Sequence, residues 1–270
     1  MPEDDFLILT KTYPNPSNKY RETVCVVAMT RKGELCRLYP ISERLLSDEK
    51  VFSKWDWIHA CWSFPTDDKR PDSKRIDTDS IHVLEHVGTE RYWSARLELI
   101  RPHIVDSYQL LEERRLSTGQ TLGIVAIHRL LKLDIKKERN PEWTQGDIDK
   151  LTRDGLFDSE RVRNRPLLRK LPYRFYYSYA CKPANGAVEE NHHLITDWEL
   201  GALFWHCHQG DINNCLDLVR QKYETEFSQK DLRLLMGTVH RFPNQWLIAG
   251  IMYPPRRSDT DVNQLPLPLE

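Results

Sequence analysis

The chain has 270 residues, 40% of them hydrophobic and 29% charged, with a formal net charge of −1 at pH 7. That balance excludes a disordered, collagenous or coiled-coil chain and a polycation, so any nucleic-acid surface must come from local charge segregation. No apolar run approaches the roughly 20 residues that cross a bilayer, the acidic start is unlike a signal peptide, and six cysteines without a CxxC pair fit reduced thiols in a cytoplasmic protein.

Residues 6–12 (FLILTKT) read as a strand, and 23–29 with 34–39 as a hairpin turned at Gly33. The stretch 55–64 alternates apolar and polar residues as a strand does, 65–79 is a polar loop, and 80–87 is a weak strand. From Trp93 to Arg115 apolar residues recur at helical spacing, with a break or restart at Pro102; 121–137 is strand-like again, with Gly123 a candidate bulge. Beyond a charged stretch, a strand is expected at 172–181, helices at 197–209 and 212–226, and strands at 231–237 and 245–252. The expected architecture is α+β: a β-rich, barrel-like domain over 1–137, a charged linker over 138–160, a compact β-α-α-β-β domain over 161–253 and a flexible tail over 254–270.

Residues 161–182 (RVRNRPLLRKLPYRFYYSYACK) contain seven cations and no acid. Guanidinium groups suit phosphate oxygens, and neighbouring rings can stack on bases. Arg163, Arg165, Arg169, Arg174 and Lys182 are the candidate phosphate contacts here. Lys11, Lys19 and Arg21 join them, alternating with Tyr13 and Tyr20 in a loop stiffened by Pro14 and Pro16. If 173–179 is a strand, Tyr173, Phe175, Tyr177 and Tyr179 share one face, and that face is equally suited to a core.

Residues 192–199 (HHLITDWE) hold the one dense acid–base group. His192, His193, Asp197 and Glu199 can position a water or a divalent metal, whose identity the sequence leaves open. A zinc set of Cys181, His192 or His193, Cys207 and His208 lacks the usual short paired spacing. A capping reading competes: Thr196 as N-cap and Glu199 at the fourth position form a capping box. His240 and Arg241, on a polar hairpin tip within 236–246, complete the candidate catalytic set. Walker A, GxGxxG, HExxH, GxSxG and kinase-type motifs are absent from the sequence.

Four stretches, KTYPNPSNKYRETVC (11–25), RLYPI (37–41), HHLITDWE (192–199) and GTVHRFPNQW (237–246), resemble a family of uncharacterised bacterial proteins. The resemblance implies a bacterial cytosolic origin and assigns no chemistry. Relatives carry a more cysteine-rich segment where this chain has Lys182 to Asn191, which implies that a metal site there is absent from this chain. Near the C-terminus, Gln264, Leu265, Leu267 and Leu269 form a QLPLPL peptide similar to the QLxLxL motif by which bacterial replication and repair proteins bind the sliding clamp. Alternating leucines on a proline-extended chain suit an apolar groove. The expectation is a DNA-processing protein, a nuclease or other DNA-directed hydrolase of repair or defence, recruited to the clamp by its tail. The rival classes are a non-catalytic DNA- or RNA-binding module and a protein-interaction adaptor.

Overall fold

The computed structural model describes residues 1–153, 162, 164–184, 186–208 and 210–256. The N-terminal strands are β1 (Glu3–Lys11), β2 (Asn15–Ser17), β3 (Arg21–Thr30), β4 (Leu35–Ile41), β5 (Asp56–Ser63), β6 (Ser73–Ile76) and β7 (His82–His86). Five of them close into a barrel in the order β1-β3-β4-β6-β5, sealed by the β1–β5 pairing, while β2 and β7 extend β3 and β5. Gly33 takes φ +82° in the β3–β4 turn, a left-handed angle that glycine adopts without a Cβ clash. Phe6, Ile8, Val24, Val26 and Ala28 fill the barrel, while the alternate residues Leu7, Leu9, Val27 and Met29 face outward and are buried too. Burial on both faces explains the nearly unbroken apolar runs in β1 and β3.

The chain then forms α1 (Glu90–Ile100), β8 (Ile104–Val105), α2 (Tyr108–Thr118), β9 (Leu122–Ala126), β10 (Arg129–Lys137) and α3 (Gln145–Leu151). It continues through β11 (Tyr173–Cys181), β12 (Glu189–Ile195), α4 (Trp198–Cys207), α5 (Ile212–Arg220), β13 (Arg233–Val239) and β14 (Phe242–Met252). A second sheet runs β10-β11-β12-β14-β13-β9-β8. Helices α2, α4 and α5 cover one face, around Leu111, Phe175, Tyr177, Tyr179, Phe204 and Val219. The barrel packs on the other face, joining Leu7, Leu9, Trp55 and Trp57 to Leu122, Ile124, Leu235 and Ala249. Gly250 permits that approach, since a Cβ there would lie 2.3 Å from Thr10 Oγ1; on α4, a Cβ on Gly201 would lie 2.2 Å from the Tyr13 ring, where the loop after β1 meets the helix.

The β-rich barrel followed by a mixed sheet-and-helix unit agrees with the expected fold class. The boundary differs. Strands β9 and β10, placed by sequence in the first unit, pair in the second sheet, so the sheets change over between His86 and Ile104. Within the expected linker, α3 forms at 145–151 and packs on β2 and β3. Gly123 is not a bulge: its register with β13 is continuous, and a Cβ there would lie 2.4 Å from Leu111. The helical pattern from Trp93 begins with Arg91, Tyr92 and Trp93 in a left-handed turn (φ 50°, 59° and 64°). Such backbone costs energy without glycine. Trp93 is held edge-on to Trp55, with Arg96 over both rings.

Candidate nucleic-acid interface and the interdomain cleft

Where the barrel meets the second sheet, a cleft of about 430 Å³ remains open. Its walls are apolar, from Val27, Leu122, Leu247 and Ala249. Its polar lining comes from Thr12, Asn15, Cys25, Tyr39, Thr196, Thr238 and His240. Each of the four stretches singled out in the sequence supplies residues to it.

Two barrel arginines build the cleft by reaching across to the second unit. Arg37, 2% exposed, donates to Asp72 and to the hydroxyl and carbonyl of Thr121. Its guanidinium lies against Gly237, where a Cβ would stand 3.2 Å away. Arg70 forks onto Asp68 at 2.9 and 2.6 Å and donates to the Thr238 carbonyl at 2.7 Å. Burial alone would raise the Asp68 pKa; the hydrogen bonds from Arg70 and Ser73 overcome it and hold the carboxyl well below the usual range. That fixed carboxylate lies 3.2 Å from His240 Nδ1. Thr238 Oγ1 is buried and has no hydrogen-bond partner among the described residues. Burial pushes the Cys25 thiol up, so it stays protonated.

His240 and Arg241 make the two-residue tip between β13 and β14. The tip is exposed, and Phe242 beside it keeps 54% of its surface in solvent. The face of the second sheet that looks toward the cleft continues past the barrel onto β12, β11 and β10. There Tyr176 stacks on His192 (4.9 Å, 10°), Lys136 lies over Tyr176 at 4.9 Å, and Lys132 pairs with Asp134.

A second charged cluster joins the two units and is closed. Asp197, its side chain 1% exposed, receives Lys54 at 2.9 Å and the backbone N–H groups of Glu199 (2.9 Å) and Ile251 (2.8 Å). Glu199 adds a second carboxylate to Lys54 at 2.9 Å. Burial would lower the Lys54 pKa, but Asp197 and Glu199 more than offset it and keep the ammonium charged. Asp197, not Thr196, is therefore the N-cap of α4; the Thr196 hydroxyl instead donates to the Ile248 carbonyl.

The structure does not gather the six expected catalytic side chains. His192 and His193 alternate across β12. His193 turns inward to the Tyr179 hydroxyl (3.1 Å) and the Tyr108 ring, where burial lowers its pKa to about 4. His192 turns outward to Tyr176. Asp197 and Glu199 belong to the Lys54 cluster. Only His240 lines the cleft, with Arg241 next to it on the tip. Among the described residues no three His, Cys, Asp or Glu side chains form a metal-binding group, so the zinc set of Cys181, His192 or His193, Cys207 and His208 does not assemble.

The expected phosphate contacts scatter as well. Lys11 is buried on Glu43 and the Phe52 carbonyl. Arg169 covers Trp205 at 4.1 Å, and Arg174 pairs with Glu138. Arg165 lies within electrostatic reach of Glu22, and Arg21 occupies a left-handed turn (φ 60°). Lys19, over the Tyr20 ring, and Lys182 are exposed. The expected aromatic face of β11 is core, with Phe175, Tyr177 and Tyr179 at most 1% exposed. Arg163, Gln264, Leu265, Leu267 and Leu269 lie outside the described residues. Sequence reasoning missed Lys54, Asp68 and Arg70; the DDKR run at 67–70 inside an assumed loop was the available signal.

The chain belongs to a family defined by a domain of unknown function, DUF8757, whose sequence model matches residues 105–268. A second domain of unknown function, DUF8758, matches residues 2–102. The two matches meet where the two sheets change over. No curated protein matches the sequence. A solved structure described as a murine DNA binding protein bound with ds DNA aligns over 96% of this chain and 99% of its own, at 7% identity and a TM-score of 0.33. A likeness at that level assigns neither fold nor function. No helix among the described residues is long and apolar enough to cross a membrane.

Proposed function

We propose that the protein binds DNA through the face that carries the cleft mouth, the His240–Arg241–Phe242 tip and the Tyr176–His192 ledge. One observation carries this reading: a cation and an exposed ring project from a tight hairpin beside a cleft of small-ligand size. The ledge supports it, because a stacked ring pair with Lys136 over it suits unstacked bases and their phosphates. In this reading the Gln264–Leu269 peptide recruits the protein to the bacterial sliding clamp, in the cytoplasm, for repair or defence.

The test is fluorescence anisotropy with labelled single- and double-stranded DNA and RNA across a salt series. Arg241→Glu should weaken binding and reduce the salt slope by about one, the loss of one phosphate contact. An unchanged slope removes the tip from the interface. For the clamp, full-length protein should retain the bacterial clamp in a pull-down, and a version ending at Asn263 should not.

A second reading, a DNA-directed hydrolase, is favoured by one specific feature. His240 lines the cleft with its Nδ1 3.2 Å from the Asp68 carboxylate, an imidazole beside a carboxylate being a pairing that general-base chemistry uses. Incubation with DNA with and without Mg²⁺, Mn²⁺ and Zn²⁺ tests it. Cleavage lost in His240→Ala supports hydrolysis in the cleft; cleavage retained there places the chemistry elsewhere, and none under any condition leaves a binding protein.

A further inference from the structure

We infer that a cationic recess at the end of the second sheet away from the cleft binds the phosphate group of a nucleotide, either free or within a DNA strand, the second source resting on the DNA-binding reading. Recess and cleft sit at opposite ends of the β9–β13 pair. The cleft takes Leu122 and residues 237–240, whereas the recess takes Ile127, Asp231 and Leu232. The recess holds about 500 Å³ and is lined by Arg129, Lys230 and Arg256 together with the apolar Leu97, Phe227 and Leu232.

Its cations are left without counter-ions. Arg37, Arg70 and Lys54 each meet a carboxylate at 2.9 Å or less. Among the described residues no carboxylate forms an ion pair with Arg129, Lys230 or Arg256. Asp231, the one carboxylate in the lining, is forked by Arg233 at 2.5 and 2.7 Å, which offsets its charge. Arg256 is aimed by two carbonyls, donating to that of Lys230 at 3.3 Å and to that of Ser228 at 3.0 Å. Carbonyl oxygens orient a guanidinium without cancelling its charge. Three such cations around one recess attract an anion, and a phosphate offers them more charge and more acceptor oxygens than a carboxylate does. A phosphate alone would leave most of the volume empty. The apolar lining suits the sugar and base attached to it, which makes a nucleotide the ligand class.

The recess also lies in line with the Tyr176–His192 ledge. Arg129 pairs with Ala180 and Lys132 with Ser178, across a register shift between Leu130 and Lys132. Ser178 and Ala180 stand two apart on one strand, so Arg129 and Lys132 share the face that carries Tyr176 and His192. A DNA strand laid over the ledge and Lys136 would therefore run along β10 toward the recess.

The experiment melts the full-length protein with sodium phosphate, deoxyadenosine monophosphate or deoxyadenosine, each at millimolar concentration and at ionic strength matched with chloride. The Tm should rise with phosphate, rise further with the monophosphate and stay put with the nucleoside. In Arg129→Gln/Lys230→Gln the Tm without ligand should be unchanged, since neither side chain has a hydrogen-bond partner among the described residues. Affinity of that variant for the monophosphate should fall roughly tenfold or more, as the loss of charge-assisted hydrogen bonds would. Arg129→Lys, which keeps the charge, should retain most of the effect. The salt slope of oligonucleotide binding should fall by about two in the double variant. No monophosphate effect in the wild type, or one that the double variant keeps, overturns the recess; oligonucleotide binding with a full salt slope in that variant then leaves the DNA-binding reading standing. A monophosphate effect that the double variant removes, in a protein that binds no oligonucleotide, overturns DNA binding and supports the recess as a site for the free nucleotide. Equal stabilisation by nucleoside and monophosphate overturns phosphate recognition.

Discussion

Two clusters of cations and carboxylates bridge the barrel and the sheet, and they differ in what they leave unused. At Lys54, Asp197 and Glu199, both Asp197 oxygens are engaged by Lys54 and backbone N–H groups, Asp197 is buried and the Lys54 side chain is 11% exposed. At Arg70, Asp68 and His240, the ion pair is equally tight, but the exposed His240 stands beside an open cavity. Density of charge does not separate a fastening from a site; open space beside it does. His192, His193, Asp197 and Glu199 looked the more catalytic in sequence because they are adjacent in the chain. Adjacency on a strand sends side chains to opposite faces.

The strongest way to break this comparison is Asp197→Ala. It removes a helix cap, a backbone acceptor and the partner of a buried ammonium, and should cost about 3–5 kcal/mol in chemical denaturation. A loss below about 1 kcal/mol would show that the cluster is no fastening. Gly201→Ala should cost about 1–3 kcal/mol in the same assay, because the new methyl meets the Tyr13 ring on the barrel side of the junction. Wild-type stability after that change would mean that the junction yields without strain.

The paired histidines give a pH test. Burial holds His193 near a pKa of about 4, below its unfolded value of roughly 6.5. The unfolded chain then binds more protons across that window, so stability is full above it and falls as pH drops from about 6.5 toward about 4. His193→Phe should flatten this limb in urea titrations at several pH values. Equal curves for wild type and His193→Phe would place His193 in solvent. The smallest effect belongs to Thr238. Thr238→Val should change stability by less than about 0.5 kcal/mol, since no protein hydrogen bond is lost from its hydroxyl. A large loss there would show that the hydroxyl is paired in solution.

Much of the barrel was legible because β1, β3, β4 and β5 carry strong apolar patterns and Gly33 marks a turn. Strand β6 was not. Its residues SKRI sit in a polar stretch and become a strand only by pairing with β4 and β5 across the barrel. Strand β12 hid for a related reason: EENHH has no apolar alternation, because its outward face meets solvent and Tyr176 instead of a core. The basic segment 161–182 was visible as charge, yet its described members mostly serve contacts such as Arg169 on Trp205 and Arg174 on Glu138. The pieces of the cleft were legible singly, in 11–25, 37–41, 192–199 and 237–246. Their partners Asp68 and Arg70 were not, since only the closed barrel brings that loop against Thr238.

The outward residues of β1 and β3 set a condition on inheritance. A gene for the barrel alone would encode a product with Leu7, Leu9, Val27, Met29, Trp55 and Trp57 laid bare, and a gene for the sheet alone would bare Leu122, Ile124, Leu235 and Ala249. Each half serves as the other's solubilising partner, much as a chaperone shields a client. The two matched segments therefore share one buried junction. Cutting the gene between them should yield halves that aggregate separately and stay in solution only when made in the same cell.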